Sequence, residues 1–586
     1  MTSQTSQLTS KLDPYTLFSE IVRCELGGVH VWRHASADSC QFVMTRVLQP
    51  ERGCCKGKAT RRLALKTGTR SASAIIIALL TSIFVAVFAS SGFAQKWLPM
   101  SSSLTALVVP EPVKLKWKIS EPFRLAATTV IVLPASSSRE ERSIAAWLKE
   151  GLHNFYGVDP EIMVTDLIPE QNAIVVGTVN DTGLKNLVSS LSTEKFGSFP
   201  EQSYVLSVSS LRVCLVGGGI KGLKYGAQTL IQAARMDNYI AEYVIPPVEI
   251  ADFPSVDMRA FLLPLRDYRA FHQVWDAREF IDLAEMLHMN AVIIQVDNAI
   301  KFDSAPGVGR NDALQKDTLR ALVKYAREAG LEVIPLVETF SHQDVLLCPA
   351  YPNLCLDKST YDPSNPKVYT RLFGIIDEIL EIFEPKYMHI AHDEIRAFSN
   401  IPKEKAAELF LSDVRKIHAH LKEKNVQTMM WAGMLLSSTQ FPGQDNCNGL
   451  LGSTYALIDS LPKDIILMDA HYRQRKLDFP TVDYLISKGF QVIGCVYDDP
   501  KKADNFGRFP VANNFSKYVA GKDGKFLGMT VALWNCFNYD GMGTPRRILF
   551  KSNEAFWRGG IPAVDPMGNE IPPNLKTPLS EDRFGY

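Results

Sequence analysis

With 586 residues the chain is long enough for two or three domains. Its hydrophobic content of 46% is that of a globular protein, which excludes a wholly disordered or fibrous chain. Lys and Arg number 63, equal to Asp and Glu, so no global positive field points to nucleic acid; the ten cysteines lack CxxC or finger spacing, so no structural zinc is expected.

Residues 1–72 form an N-terminal extension of open status. It is either a cytoplasmic tail or a stretch upstream of a later start, for which Met44 is a candidate. The segment 73–95 follows. Ala74 to Ala89 is an uncharged apolar run preceded by Arg61, Arg62, Lys66 and Arg70 and followed by small residues. This is the pattern of a signal peptide, with cleavage expected after Ala94. Residues 74–94 could also just span a bilayer as a membrane anchor. Either reading places the bulk of the chain outside the cytoplasm, as an exported protein. Residues 96–112 are expected to be a linker.

From 113 to 254 the pattern predicts a smaller α/β accessory domain. Strands are expected at Thr128–Pro134 and Ala173–Gly177, a hairpin at Tyr204–Val208 with Arg212–Val216, and helices at Arg139–Tyr156 and Gly222–Met236. Gly217 to Gly222 fits GxGxxG between a strand and a helix. The preceding strand is expected to be the last of its domain, which leaves no βαβ unit for a dinucleotide, so a tight glycine turn is the preferred reading. No cofactor is expected.

From 255 to 560 strands and helices alternate. The expected strands are Met258–Leu263, Ala291–Val296, Glu332–Val337, Tyr387–Ala391, Thr428–Trp431, Ile465–Asp469, Gln491–Val496 and Gly528–Leu533. Helices fall between them, such as Ala277–His288, Asp317–Ala329, Lys403–Lys424 and Arg546–Trp557. Eight such units predict a (β/α)8 TIM barrel. A Pro-rich tail, 561–586, closes the chain.

Catalytic groups of that fold collect at the C-terminal ends of the strands. The fourth strand ends in His389-Ile-Ala-His-Asp-Glu394. Two neighbouring carboxylates there, Asp393 and Glu394, allow one to be ionised and the other protonated near neutral pH, as acid-catalysed cleavage of a glycosidic bond requires. A solvated acidic loop is the bland alternative; the apolar strand and the two histidines count against it. His389 and His392 could ligate a metal on a helix, but on a strand their spacing sends them to opposite faces, so no metal is expected. His342 ends strand three. Trp431 and Trp534 end strands five and eight, where indole faces can stack on sugar C–H surfaces. Cys348 and Cys355 either form a disulfide or remain two free thiols.

These residues resemble glycoside hydrolase family 20, the β-N-acetylhexosaminidases, over about residues 113–560. The family carries His-x-Gly-Gly-Asp-Glu at the end of strand four. Its strand-one arginine is matched by Arg259, its Pro-Gly-His turn by Phe340-Ser-His342, its rim tryptophans by Trp431 and Trp534, and its strand-seven tyrosine by Tyr497. Tyr225 to Leu230 is similar to the closing helix of the accessory domain. Gly-Gly is replaced by Ala391-His392, a strand-one Asp by Pro264, and a strand-six Trp by Ala470 before His471-Tyr472. The acid after the strand-eight Trp is absent, with Asn535-Cys536 in its place.

The resemblance implies an exo-acting enzyme on glycans with a terminal N-acetylhexosamine, working by substrate-assisted retention. Glu394 would be the general acid, and Asp393 would orient the 2-acetamido group. Arg259 would hold sugar hydroxyls, with Tyr472, Tyr497, Trp431 and Trp534 around the sugar. His342 and His389 would support the acids, and His392 would narrow the pocket beside them. A glycosidase of other sugar specificity, a catalytically weak carbohydrate-binding protein and a metal-dependent hydrolase are the competing expectations.

Overall fold

The computed structural model describes residues 108–559, except 182–183, 185–196, 239, 268–269, 474–477, 498–509, 523 and 535–542, together with a two-residue hairpin of Glu25–Leu26 and Val29–His30. The expected leader or anchor at 74–94 and the Pro-rich tail lie outside the described residues. Among the described residues no helix is long and apolar enough to cross a membrane.

The accessory domain is a seven-stranded mixed sheet. Its order is Lys114–Trp117, Val248–Asp252, Tyr204–Val208, Arg212–Gly217, Ala173–Thr178, Val130–Leu133 and Glu161–Val164. Helices Arg139–Tyr156 and Ile220–Ala233 cover one face with Ile144, Leu148, Leu152, Leu223 and Leu230, packed on Ile131, Ile174, Leu206 and Leu215. The first helix starts where its sequence says it should. Ser138 accepts from the Glu141 N–H, the Glu141 carboxylate accepts from the Ser138 N–H, and Gly157 ends the helix at φ +67°.

One expectation about this domain is corrected. Arg212–Gly217 is not its last strand, because Val248–Asp252 rejoins the sheet later. That strand runs antiparallel to both neighbours, so the glycine turn still opens no parallel βαβ crevice. Gly222 is pressed against the Ser203 carbonyl, and a Cβ would have no room there.

The barrel has eight parallel strands that pair in chain order and close strand one on strand eight. They are Met258–Pro264, Ala291–Gln295, Glu332–Thr339, Tyr387–Ala391, Gln427–Trp431, Ile466–His471, Gln491–Val496 and Phe526–Ala532. Alternate residues fill the interior, among them Leu262, Ile293, Ile334, Met429, Met468 and Ile493. The intervening residues, such as Phe261, Leu263, Val292 and Ile294, face the helical layer. This alternation and the strand ends decide which side chains reach the catalytic rim.

The N-terminal end of the barrel is sewn to the accessory domain. Asp252 is fully buried and accepts from the Val113 N–H, the Tyr204 hydroxyl and the indole of Trp557 on the last barrel helix. Cys348 and Cys355 are joined as a disulfide in the loop after strand three.

Candidate active site

The site is built where strands three and four end. Strand three runs into Phe340-Ser341-His342, and strand four into Ala391-His392-Asp393-Glu394. Phe340, His342, Ala391, His392 and Glu394 all have φ between +45° and +67°. Non-glycine residues pay for that region, commonly about 1–2 kcal/mol each. The Ser341 hydroxyl donates to the Asp393 carbonyl and ties the two turns together.

His342 Nε2 lies 3.8 Å from Asp393 Oδ2. Beneath this pair is a polar cluster that the sequence did not disclose. Glu338, buried at the end of strand three, accepts from Gln295 Nε2 at 2.7 Å and from an Arg266 nitrogen at 3.2 Å. Its backbone N–H donates to Asp297 Oδ1 at 2.8 Å, and Arg266 lies 3.5 Å from Asp297 Oδ2. Asp393 Oδ1 and Glu338 Oε2 are shielded from water and accept no hydrogen bond from the described residues. Burial, reinforced by the charges of Asp393 and Asp297, holds the Glu338 carboxyl well above its ordinary range. Burial likewise raises Asp393; His342 and Arg266 oppose that rise while the Glu394 charge adds to it. Burial and mutual repulsion of these close carboxyl groups thus both favour their protonated forms.

Glu394 faces solvent, with 41% of its side chain exposed, and pairs with Arg396 at 2.9 Å. An exposed pair of this kind is weakly held, so Glu394 is free to exchange Arg396 for another partner.

An aromatic wall completes the rim. Trp431 and Trp534 lie 6.4 Å apart, centroid to centroid, and Tyr472 and Tyr497 lie 5.6 Å apart in an edge contact. The Trp534 indole N–H donates to the Tyr472 hydroxyl at 3.2 Å. Burial raises the Tyr472 phenol, and the Asp393 charge adds to this, which places the wall beside the acids. His389 is fully buried with its ring edge-on to Trp431 at 4.9 Å. Burial and the nearby charge of His392 push it down to about 3, so it is a neutral support. It touches no solvent and is not a substrate contact.

Two expected site residues lie elsewhere. Arg259 is the second residue of strand one, on its outward face and at the end opposite the acids. Five residues of strand, roughly 17 Å, separate it from Pro264 at the catalytic end. It is fully buried and donates to the carbonyls of Val256, Asp257 and His288, to Gln202 and to Tyr225. It therefore joins the barrel to the accessory domain and reaches no sugar. The arginine at the catalytic end of strand one is instead Arg266, which follows Pro264 and pairs with Glu338. His392 also leaves the pocket. Its ring lies between Phe340 and Phe410 in the outer layer and does not narrow the space beside the acids.

The two histidines of strand four thus face opposite sides and do not converge on a metal. Among the described residues, metal-ligand spacing occurs at Glu338, His342 and Asp393, whose ligand atoms lie within 4.8 Å of one another. The Arg266 guanidinium already supplies positive charge there.

An exposed carboxylate, a second, partly buried carboxylate and aromatic side chains at one rim suit protonation of a glycosidic oxygen with stabilisation of positive charge on the sugar. Residues 105–253 match the model for glycosyl hydrolase family 20, domain 2, and residues 268–549 match that for the glycosyl hydrolase family 20 catalytic domain. The chain belongs to glycosyl hydrolase family 20. A β-hexosaminidase of Porphyromonas gingivalis is 24% identical over 322 residues, 49% of this chain and 38% of that protein. A lacto-N-biosidase of Bifidobacterium bifidum is 24% identical over 280 residues, 44% of this chain and 24% of that protein. The matched stretch is thus well under two thirds of either relative's length. The chitobiase of Flavobacterium johnsoniae has the same fold, with a TM-score of 0.57 at 19% identity over 77% of this chain and 69% of that one. An exo-β-N-acetylglucosaminidase of Vibrio harveyi, solved with N-acetylglucosamine, gives 0.55 at 17% identity over 77% and 74%. Ala391 and His392, at φ +58° and +67°, hold a left-handed backbone that glycine would adopt without strain.

Proposed function

We propose that the chain is an exported, exo-acting β-N-acetylhexosaminidase that works by substrate-assisted retention. The observation that carries this reading is the Asp393-Glu394 pair at the end of barrel strand four in a family 20 catalytic domain, beside the Trp431, Tyr472, Tyr497 and Trp534 wall. Glu394 protonates the leaving glycosidic oxygen and then takes a proton from the attacking water. The nucleophile is the carbonyl oxygen of the substrate's own 2-acetamido group. Asp393 accepts the acetamide N–H and stabilises the positive charge of the cyclised intermediate. Arg266, held by Glu338 and Asp297, supplies positive charge to the buried acids. Export through the apolar segment at 74–94 agrees with the Cys348–Cys355 disulfide, a bond that persists in oxidising compartments.

The test is a panel of aryl β-glycosides. The N-acetylglucosaminide or N-acetylgalactosaminide is expected to be cleaved, and the 2-hydroxyl analogue very poorly. A thiazoline mimic of the cyclised intermediate is expected to inhibit far more tightly than the product sugar. Efficient cleavage of plain β-glucosides without thiazoline inhibition would instead assign the barrel another sugar.

A further inference from the structure

The residue that departs most from the family pattern, His392, sits on the turn that carries Asp393 and Glu394. It and Asp413, on helix Lys403–Glu423, are both fully buried. His392 Nε2 lies 2.9 Å from Asp413 Oδ2, an ion-pair contact whose N–H direction misses ideal hydrogen-bond alignment. Asp413 also accepts from the Tyr361 hydroxyl at 2.8 Å and from the Tyr369 hydroxyl at 2.5 Å. On the other side of the ring, Nδ1 lies 2.7 Å from Thr339 Oγ1 and 3.2 Å from the Ile390 carbonyl.

The Thr339 hydroxyl gives its proton to the Ile390 carbonyl, so its oxygen is left to accept. The carbonyl only accepts, and so does an ionised carboxylate. Both ring nitrogens therefore face oxygens placed to accept, with the Asp413 carboxylate on the Nε2 side. The pair links three elements: strand three through Thr339, strand four through Ile390, and the helix through Asp413. Its backbone end is the turn that carries Asp393 and Glu394.

We propose that His392 and Asp413 are positioning residues, a buried pair that holds the turn at 391–394, whose Ala391, His392 and Glu394 have left-handed φ, where the family pattern has two glycines. The pair touches no substrate. It acts by fixing the backbone from which the Asp393 carboxylate meets His342 and Glu394 meets the leaving group. A misplaced catalytic group costs turnover more than binding.

This inference rests on the hexosaminidase reading, and the experiment separates the two. Full-length wild type, Asp413→Asn, Tyr369→Phe and the double variant His392→Gly/Asp413→Asn are compared on an aryl N-acetylglucosaminide, with kcat, KM and Tm recorded for each. In Asp413→Asn, kcat is expected to fall about tenfold or more with KM within about twofold, the mark of a loss confined to the transition state. Tyr369→Phe removes one donor to Asp413, so it is expected to lose kcat in the same sense by a few-fold; it carries the test if Asp413→Asn does not fold. The double variant removes both partners and supplies the family glycine, so it is expected to regain most of the lost kcat. Unchanged kcat in the folded variants, with only Tm lowered, would overturn the proposal and leave the pair a structural one. A double variant no better than Asp413→Asn would also overturn it. A wild type that cleaves no N-acetylhexosaminide would sink the hexosaminidase reading itself, and this proposal with it.

Discussion

Replacing Asp393 with Asn separates what the site does from what it costs. Asp393, Glu338 and Asp297 crowd around Arg266 and His342. Burial raises the Asp393 carboxyl in the folded protein above its ordinary 3.8, and Glu394 adds to that. For a carboxyl raised in this way, the contribution to stability is complete below the unfolded value. It is lost as pH climbs through the folded one. At pH 7 the ionised Asp393 is therefore a stability penalty that Asn does not carry. Asn is expected to raise stability by about 0.5–2 kcal/mol, the usual gain from relaxing a strained functional site, or a few degrees in Tm. The gain is expected to shrink on going from pH 7 to an acid pH, where Asp393 takes up its proton. Turnover moves the other way. Loss of charge opposite the developing cation is expected to cost about 10²–10³ in kcat, roughly 2.7–4 kcal/mol. Calorimetry at the two pH values, with kcat on an aryl N-acetylglucosaminide, measures both. A Tm several degrees lower at pH 7, or a kcat within about threefold of wild type, would refute the argument.

Two further outcomes follow from the placement of single residues. Glu394→Gln is expected to abolish most turnover of substrates with poor leaving groups, which need protonation, while activated aryl glycosides lose much less; equal losses on both would remove Glu394 from the role of acid. Arg259→Lys cannot reproduce the fork of hydrogen bonds to three carbonyls, Gln202 and Tyr225. It is expected to lower stability by about 3–5 kcal/mol, as loss of a buried charge's partners does, with KM unchanged; a raised KM at normal Tm would return Arg259 to the sugar.

Much of the architecture was legible before any coordinates because it rests on local periodicity. The eight apolar strand runs and their alternation with helices are short-range patterns, and each barrel strand lies within two residues of its expected limits. The short strands Lys114–Trp117 and Val248–Asp252 were not foreseen. Their pairing partners are distant in sequence, and four or five residues carry little pattern. Asp393, Glu394, Trp431, Tyr472, Tyr497 and Trp534 were legible as rim residues because each directly ends or follows a barrel strand. Glu338 follows the apolar run Val333–Val337 of strand three, a pattern that fits a buried acid.

By itself the sequence determined the barrel, its order of strands and the end at which the acids stand, since these depend on hydrophobic period and on position along each strand. Which way a side chain points at a turn depends instead on backbone dihedrals and on partners far away in the chain. Only the tertiary structure decided that Arg259 lies under the barrel and Arg266 at its mouth, because alternation along strand one and the accessory domain's Gln202 and Tyr225 set that choice. Only it decided that His392 turns outward, because positive φ at Ala391 and His392 rotates the ring toward Asp413, a partner on the following helix.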